Sequence, residues 1–333
     1  MKRIIFPLFM IIMVSVVAFM LPVTAISAAA ADKPIEINYV SFLPKTHETM
    51  EACDKNWKEV EKRAQGRIKF INKGGPESIN IFGQAMAVYT GATDMVFTTP
   101  AFMGKLAKGT TMMTLTALPV SKHRESGLYD YLNEVYNSKA NMQFIQMFPR
   151  KMGTAFVVLS KEKINGLADL KGKSMRGGDF IDSMAKLLGV NTVALKHYED
   201  YSAMERGVVD LSMMTIESMV QFRLHEVGKY LIQPPFASAP MSWFMNLKKW
   251  KSIPPDLQNL ILDTLYELAD ETEAQYQVVT DKKYAEMKAN GVEIIQLQGK
   301  DLEIWTKDME RAIYEYYLKD DPEIAKKVYE LSH

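Results

Sequence analysis

Nine residues occur twice in related form along this chain. Gly91-Ala92-Thr93-Asp94-Met95-Val96-Phe97-Thr98-Thr99 lines up with Gly207-Val208-Val209-Asp210-Leu211-Ser212-Met213-Met214-Thr215. In both, an aspartate follows three residues after the glycine, then an apolar run, then threonine. Both follow a helix-like stretch, 79–89 in one case and 201–206 in the other. The echo fits two related lobes, each sending the carboxyl end of a strand to a shared cleft, the place where open α/β sheets bind ligands.

The rest of the chain follows the same grammar. Ile35, Ile37 and Tyr39 alternate as on a strand. Met50, Cys53, Trp57, Val60 and Ala64 recur at helical spacing over 47–64, with Gly66 as a stop. Ile68 and Phe70 open a second strand, 74–76 is a turn, and Ile79, Phe82, Met86 and Tyr89 form the expected inner stripe of a second helix. A short buried strand is expected at 95–97. Apolar residues from Leu257 to Tyr284 predict one unbroken helix over 254–290, followed by a strand at 292–297 and a helix at 302–318. Strands alternating with helices predict an α/β fold with helices on both faces of mostly parallel strands.

Lys2 and Arg3, an apolar run over 4–20 and the tract Ser27-Ala28-Ala29-Ala30-Ala31 read as a cleavable secretory leader, with the cut near Ala31. Its loss leaves 38 basic residues against 40 acidic ones, a net charge near −2. That balance gives no support to nucleic-acid binding. A single cysteine, Cys53, excludes an intrachain disulfide framework, and its place on an apolar stripe reads as a buried thiol. The expected product is exported and soluble.

No catalytic motif is present: neither G-x-S-x-G, nor H-E-x-x-H, nor a phosphate-cradling glycine loop. His47, His123, His197, His225 and His333 lack metal-ligand spacing and read as surface or capping residues, so no metal and no cofactor is expected. Arg176 stands apart. It ends a brief strand after the turn Lys171-Gly172-Lys173, and two glycines follow it. A guanidinium so placed can clamp a carboxylate through two parallel charge-assisted bonds, although an ordinary surface arginine fits the same context.

Several short markers, in order, resemble one family. They are Gly75-Pro76-Glu77 leading to Gly91-Ala92-Thr93-Asp94; Leu167-Ala168-Asp169-Leu170-Lys171-Gly172-Lys173-Ser174-Met175-Arg176; Leu188-Gly189-Val190; and Glu205-Arg206-Gly207-Val208-Val209-Asp210. Glu226-Val227-Gly228-Lys229-Tyr230, Phe244-Met245-Asn246 with Trp250, and Pro254-Pro255-Asp256-Leu257-Gln258 continue the series. The chain is similar to the periplasmic solute receptors of tripartite ATP-independent (TRAP) transporters, of the dicarboxylate-receptor type. The resemblance implies a two-lobed periplasmic binding protein fold with hinge strands and one long helix spanning both lobes. It maps as a leader at 1–31, lobe I at 32–155, lobe II at 156–244, a return to lobe I with the spanning helix at 245–285, and a C-terminal strand and helices packing across the lobes at 286–333. It further implies that Arg176 pairs with the carboxylate of an organic acid anion, delivered in the periplasm to membrane permease subunits.

The chain departs from the family in two places. Leu211-Ser212-Met213-Met214-Thr215 replaces the Gly-Gln-Glu or Gly-Gln-Asn that follows Val-Asp in many members, and no second arginine stands near Phe156. Polyhydroxylated sugar acids then look poorly served, because buried hydroxyls need partners. Phe42, Phe156, Phe180, Met214, Phe236 and Trp243 suggest a monocarboxylate with an apolar or aromatic body, with a small keto or hydroxy acid as the competing choice. Thr99 and Thr215 are expected ligand donors against simple capping, and His47 is expected to reach the cleft from the start of its helix. Monomer and weak homodimer both fit. The rival readings are a receptor for an ATP-driven transporter or a signalling system and, more remotely, a secreted hydrolase.

Overall fold

A computed structural model describes residues 33–151 and 155–333, so the expected leader at 1–31 lies outside the described residues. The first stretch runs β1 (Ile35–Ser41), α1 (Glu48–Arg63), β2 (Ile68–Asn72), α2 (Ile81–Thr90) and β3 (Met95–Thr98). A series of 3-10 turns leads to α3 (Leu128–Ala140) and β4 (Met142–Met147). The chain then crosses to β5 (Phe156–Ser160), β6 (Ser174–Arg176), α4 (Ile181–Leu188), β7 (Asn191–Val193), α5 (Asp200–Glu205), β8 (Leu211–Thr215), α6 (Ile216–Gln221) and β9 (Tyr230–Phe236). It returns through β10 (Ser242–Asn246), α7 (Leu247–Ser252), α8 (Pro255–Glu267) and α9 (Ala269–Ala289), and ends with β11 (Glu293–Gln296), α10 (Gly299–Glu303), α11 (Met309–Leu318) and α12 (Pro322–Leu331).

Two sheets result, ordered β2-β1-β3-β10-β4 and β11-β9-β5-β8-β6-β7. Each contains a strand delivered from the other by a short crossing, and the second also receives β11 after α8 and α9. β10 lies antiparallel between β3 and β4, while β5 lies antiparallel between β8 and β9. The two crossings touch where the Phe148 N–H donates to the Met241 carbonyl (2.7 Å) and the Ala155 N–H to that of Ala237 (3.1 Å).

The sequence echo has a structural counterpart, bond for bond. Gly91 and Gly207 both take left-handed backbone angles, φ 80° and 73°, which glycine adopts without a Cβ clash. In one copy the amides of Ala92 and Thr93 converge on the Ala87 carbonyl at 2.8 and 3.3 Å; in the other those of Val208 and Val209 converge on Ala203 at the same distances. Asp94 Oδ2 then accepts from the Asn38 amide on β1, and Asp210 Oδ2 from the Ser174 amide on β6, both at 2.8 Å. These aspartates fix the register of neighbouring parallel strands, which sets where Arg176 emerges.

Three expectations need correction. On α2, Phe82 (67% exposed), Met86 (49%) and Tyr89 (39%) face solvent, whereas Gln84, Ala85 and Val88 are buried. The helix has two apolar stripes, and the one with smaller side chains packs on the sheet, where helix and strand approach closely. The unbroken helix over 254–290 is two segments joined at Leu268, whose ψ of −5° separates them. The turn still carries the ladder, since Leu268 N–H reaches the Thr264 carbonyl (3.0 Å) and Thr272 N–H reaches that of Leu268 (2.8 Å). α9 nevertheless spans both sheets' layers. It bonds α1 through Tyr276–Thr49 (2.9 Å) and Thr272–Asn56 (3.1 Å), and α6 through Thr280–Glu217 (2.7 Å).

His123 is the third correction: it is fully buried, with Nε2 3.3 Å from the Leu118 carbonyl. Burial lowers its pKa to about 4. Above pH ~6.5 the imidazole is neutral in both folded and unfolded chains and adds no pH dependence. Between pH ~6.5 and ~4 the unfolded chain takes up a proton that the native one refuses, so stability falls with pH by about 3 kcal/mol from this residue. Denaturant titrations across that window should show a shallower decline in His123→Asn; equal slopes would show that the residue is not responsible. His225 is also buried, and so is the expected thiol of Cys53. Among the described residues no helix is long and apolar enough to cross a membrane.

Candidate functional site

Arg176 ends β6, as its turn and glycines predict. Its Nε donates to Asp200 Oδ1 at 3.1 Å and its Nη2 to the Met213 carbonyl on β8 at 3.3 Å. Asp200 is 1% exposed, opens α5, and receives the Ser212 hydroxyl on its other oxygen at 2.7 Å. Burial raises the Asp200 carboxyl, and the Arg176 charge works against that rise. A guanidinium has five N–H donors, and these contacts occupy two. With 14% of its side chain open to solvent, Arg176 has donors beyond these contacts while the protein fixes its plane. Part of the clamp is thus closed on an internal carboxylate, a partner that sequence spacing did not reveal.

Around this strand end the sheet assembles an aromatic group. Phe156 lies opposite Thr215 on one side and Phe236 on the other. Phe180 meets Phe156 edge-on (5.6 Å between ring centroids) and lies 6.2 Å from Tyr317, while Phe236 meets Trp305 at 5.3 Å. Thr215 caps α6, accepting from the Ser218 amide at 3.3 Å, and remains partly exposed. Met214, one residue earlier on β8, falls on the opposite face and is buried with Val157 and Leu159 in a core cluster. Its place in the site is corrected accordingly.

On the first sheet, Phe42 follows β1 and sits between Phe97 (5.9 Å) and Phe102 (5.6 Å), with Phe102 reaching Phe82 at 5.5 Å. Thr99 follows β3 and precedes a 3-10 turn without a side-chain capping bond. His47 behaves as a cap: Nδ1 accepts from the Thr49 amide at 3.1 Å, the ring is 6% exposed, and burial lowers its pKa. Trp243 is a core residue, 3% exposed, wedged against Tyr39 (5.2 Å), Trp57 (5.1 Å) and Phe97 (4.8 Å).

Two residues near these strand ends were not read as site residues from the sequence. His197, three residues before Asp200, is exposed and packs edge-on against Phe222 at 5.2 Å. The Arg176 charge acts to lower the His197 pKa. Phe102 extends the aromatic series of the first sheet. Neither sits in a motif, and only the fold brings them to strand ends. Among the described residues no cluster of side chains is suited to a metal ion.

A solute-binding protein of Albidiferax ferrireducens is 28% identical over 185 residues, about half of each chain (52% of this one and 52% of that one). A TRAP periplasmic solute-binding protein of Desulfovibrio salexigens, solved with orotic acid bound, superposes with a TM-score of 0.74 at 22% identity, covering 89% of this chain and 97% of that one. One from Xanthobacter autotrophicus, solved with β-D-galacturonate bound, gives 0.71 at 18% identity, covering 89% and 99%. The two sheets with exchanged strands are therefore the two-lobed α/β architecture of these receptors. Residues 39–320 match the family profile itself, and the chain belongs to the bacterial extracellular solute-binding proteins, family 7.

Proposed function

We propose that the protein is a periplasmic receptor that captures an organic acid anion at Arg176 and delivers it to the permease subunits of a TRAP-type secondary transporter. The observation that carries this reading is the Arg176 guanidinium held by buried Asp200 and the Met213 carbonyl at a strand end. A side chain already fixed in plane loses little entropy on binding, so a ligand carboxylate gains most of the charge-assisted bond. The ligand class is a monocarboxylate with an apolar or aromatic body, or a small keto or hydroxy acid. Phe156 is partly exposed, with the buried Phe180 and Phe236 rings packed behind it, an apolar wall without hydrogen-bonding groups. A sugar acid has several hydroxyls to satisfy, while Asp200 and Ser212 beside Arg176 are already bonded to one another and Thr215 already caps α6.

The test is a melting-temperature screen of the mature protein against orotate, D-glucuronate, phenylpyruvate and short keto and hydroxy acids, with native mass spectrometry of any stabilised pair. A matched acid at a hundredfold excess over Kd should raise the melting temperature by about 5 °C. It should bind stoichiometrically and return unchanged. Silence across the panel counts against the receptor reading, and a product peak replaces it with an enzyme.

A further inference from the structure

Behind the strand ends, where the first crossing meets α6 and α9, lies a buried ion pair that Arg176 does not involve. Arg150, in the crossing just past β4, is 3% exposed, and Glu217, in the first turn of α6, is 2% exposed. Their nearest charged atoms, Arg150 Nη2 and Glu217 Oε1, stand 3.6 Å apart, within ion-pair range but too far for a hydrogen bond. Glu217 Oε1 is taken by the Thr280 hydroxyl of α9 at 2.7 Å. Glu217 Oε2 and Arg150 Nε, an acceptor and a donor, both lack partners.

Two buried charges, each with an unmatched atom, are an expensive arrangement, because their burial is not fully repaid by hydrogen bonds. Around them the first crossing, α1, α6 and α9 meet. Arg150 belongs to a crossing between the sheets and lies over the Tyr276 ring of α9 at 5.6 Å. Tyr276 bonds Thr49 at the start of α1, and Glu217 sits on a helix of the second sheet's layer. The Lys283–Glu48 pair (2.7 Å), His47 and Tyr284 are further titratable groups nearby.

The pair is also joined to the anion site through one short piece of backbone. β8 holds Arg176 by the Met213 carbonyl, ends at Thr215, and passes directly into α6 with Glu217 in its first turn. A shift of β8 and α6 toward the crossing would bring Oε2 onto Arg150 Nε. The result is the parallel fork that arginine and carboxylate favour.

Resting on the organic-acid reading above, we propose that Arg150 and Glu217 are positioning residues for closure, completing their two-bond pairing only when a carboxylate is held at Arg176. A contact made better in one conformation favours that conformation by the difference, so the pair adds to ligand affinity without touching the ligand.

The test pairs Arg150→Met with Glu217→Gln, which removes both charges at similar volume. A buried ion pair replaced in this way commonly leaves stability unchanged or higher. Ligand-free, the double variant should melt at or above the wild-type temperature. Titrated with orotate, D-glucuronate and phenylpyruvate, it should bind whichever acid the wild type binds about tenfold more weakly or worse. Preference among the acids should be unchanged, because Arg176 is intact. Unchanged affinity overturns the proposal. So does a ligand-free melting temperature lower by more than about 5 °C, since the pair would then be fully engaged without ligand. If no acid shifts the wild type, the organic-acid reading fails instead, and the ligand-free comparison still judges the pair.

Discussion

Arg176→Lys should weaken binding of a stabilising organic acid by at least about tenfold while leaving the ligand-free melting temperature close to wild type. Lysine keeps a positive charge for Asp200 but cannot hold Asp200, the Met213 carbonyl and a ligand carboxylate from one planar group. Arg176→Ala should lose far more, on the order of 2–5 kcal/mol or 30-fold to several-thousand-fold in affinity. That variant also strips the cation from a carboxylate that is 1% exposed, so part of its deficit is structural. Adding Asp200→Asn removes the orphaned charge. The double variant should regain stability without regaining the acid. Recovery of binding with stability would mean that Arg176 serves only to neutralise Asp200. Isothermal titration together with thermal denaturation separates the cases.

Trp243→Ala should destabilise the fold by about 3–5 kcal/mol, the range for removing a large buried aromatic. The indole, on the strand β10 that joins β3 to β4, is 3% exposed and touches the Tyr39, Trp57 and Phe97 rings. Trp243→Phe should cost much less and leave the response to organic acids unaltered. Denaturant unfolding reads the first effect and the acid screen the second. A stable alanine variant with altered acid preference would return this residue to the ligand site.

Local pattern carried much of this architecture, and the reasons differ by element. The paired Gly and Asp of the two echoes were readable because a left-handed helix stop and an aspartate reaching a neighbouring strand depend on residues close in sequence. Arg176 was readable for a similar reason: turn, strand and glycines lie within a few residues of it. Asp200 was not, since its approach to Arg176 requires α4 and β7 to fold between them. Side-chain direction failed where two choices were locally equal. Met214 and Thr215 are neighbours on one strand, yet alternation sends one into the core and the other to the edge. The same ambiguity put Phe82, Met86 and Tyr89 on the wrong face of α2, because hydrophobicity ranks stripes by size whereas a sheet selects by fit. His47 keeps to its helix end because its ring nitrogen is already committed to the Thr49 amide.

The exchange of strands between the sheets also governs the order in which the chain can be built. β1, β3 and β4 are made early, but β10, which joins β3 to β4, is not made until residues 242–246. During synthesis from the N-terminus, the first sheet is left with its middle missing while the second half is made. Its pairing spans long stretches of sequence, which slows closure and defers cooperative folding until late in synthesis. The topology that ties the two halves together thus also sets the pace at which they mature.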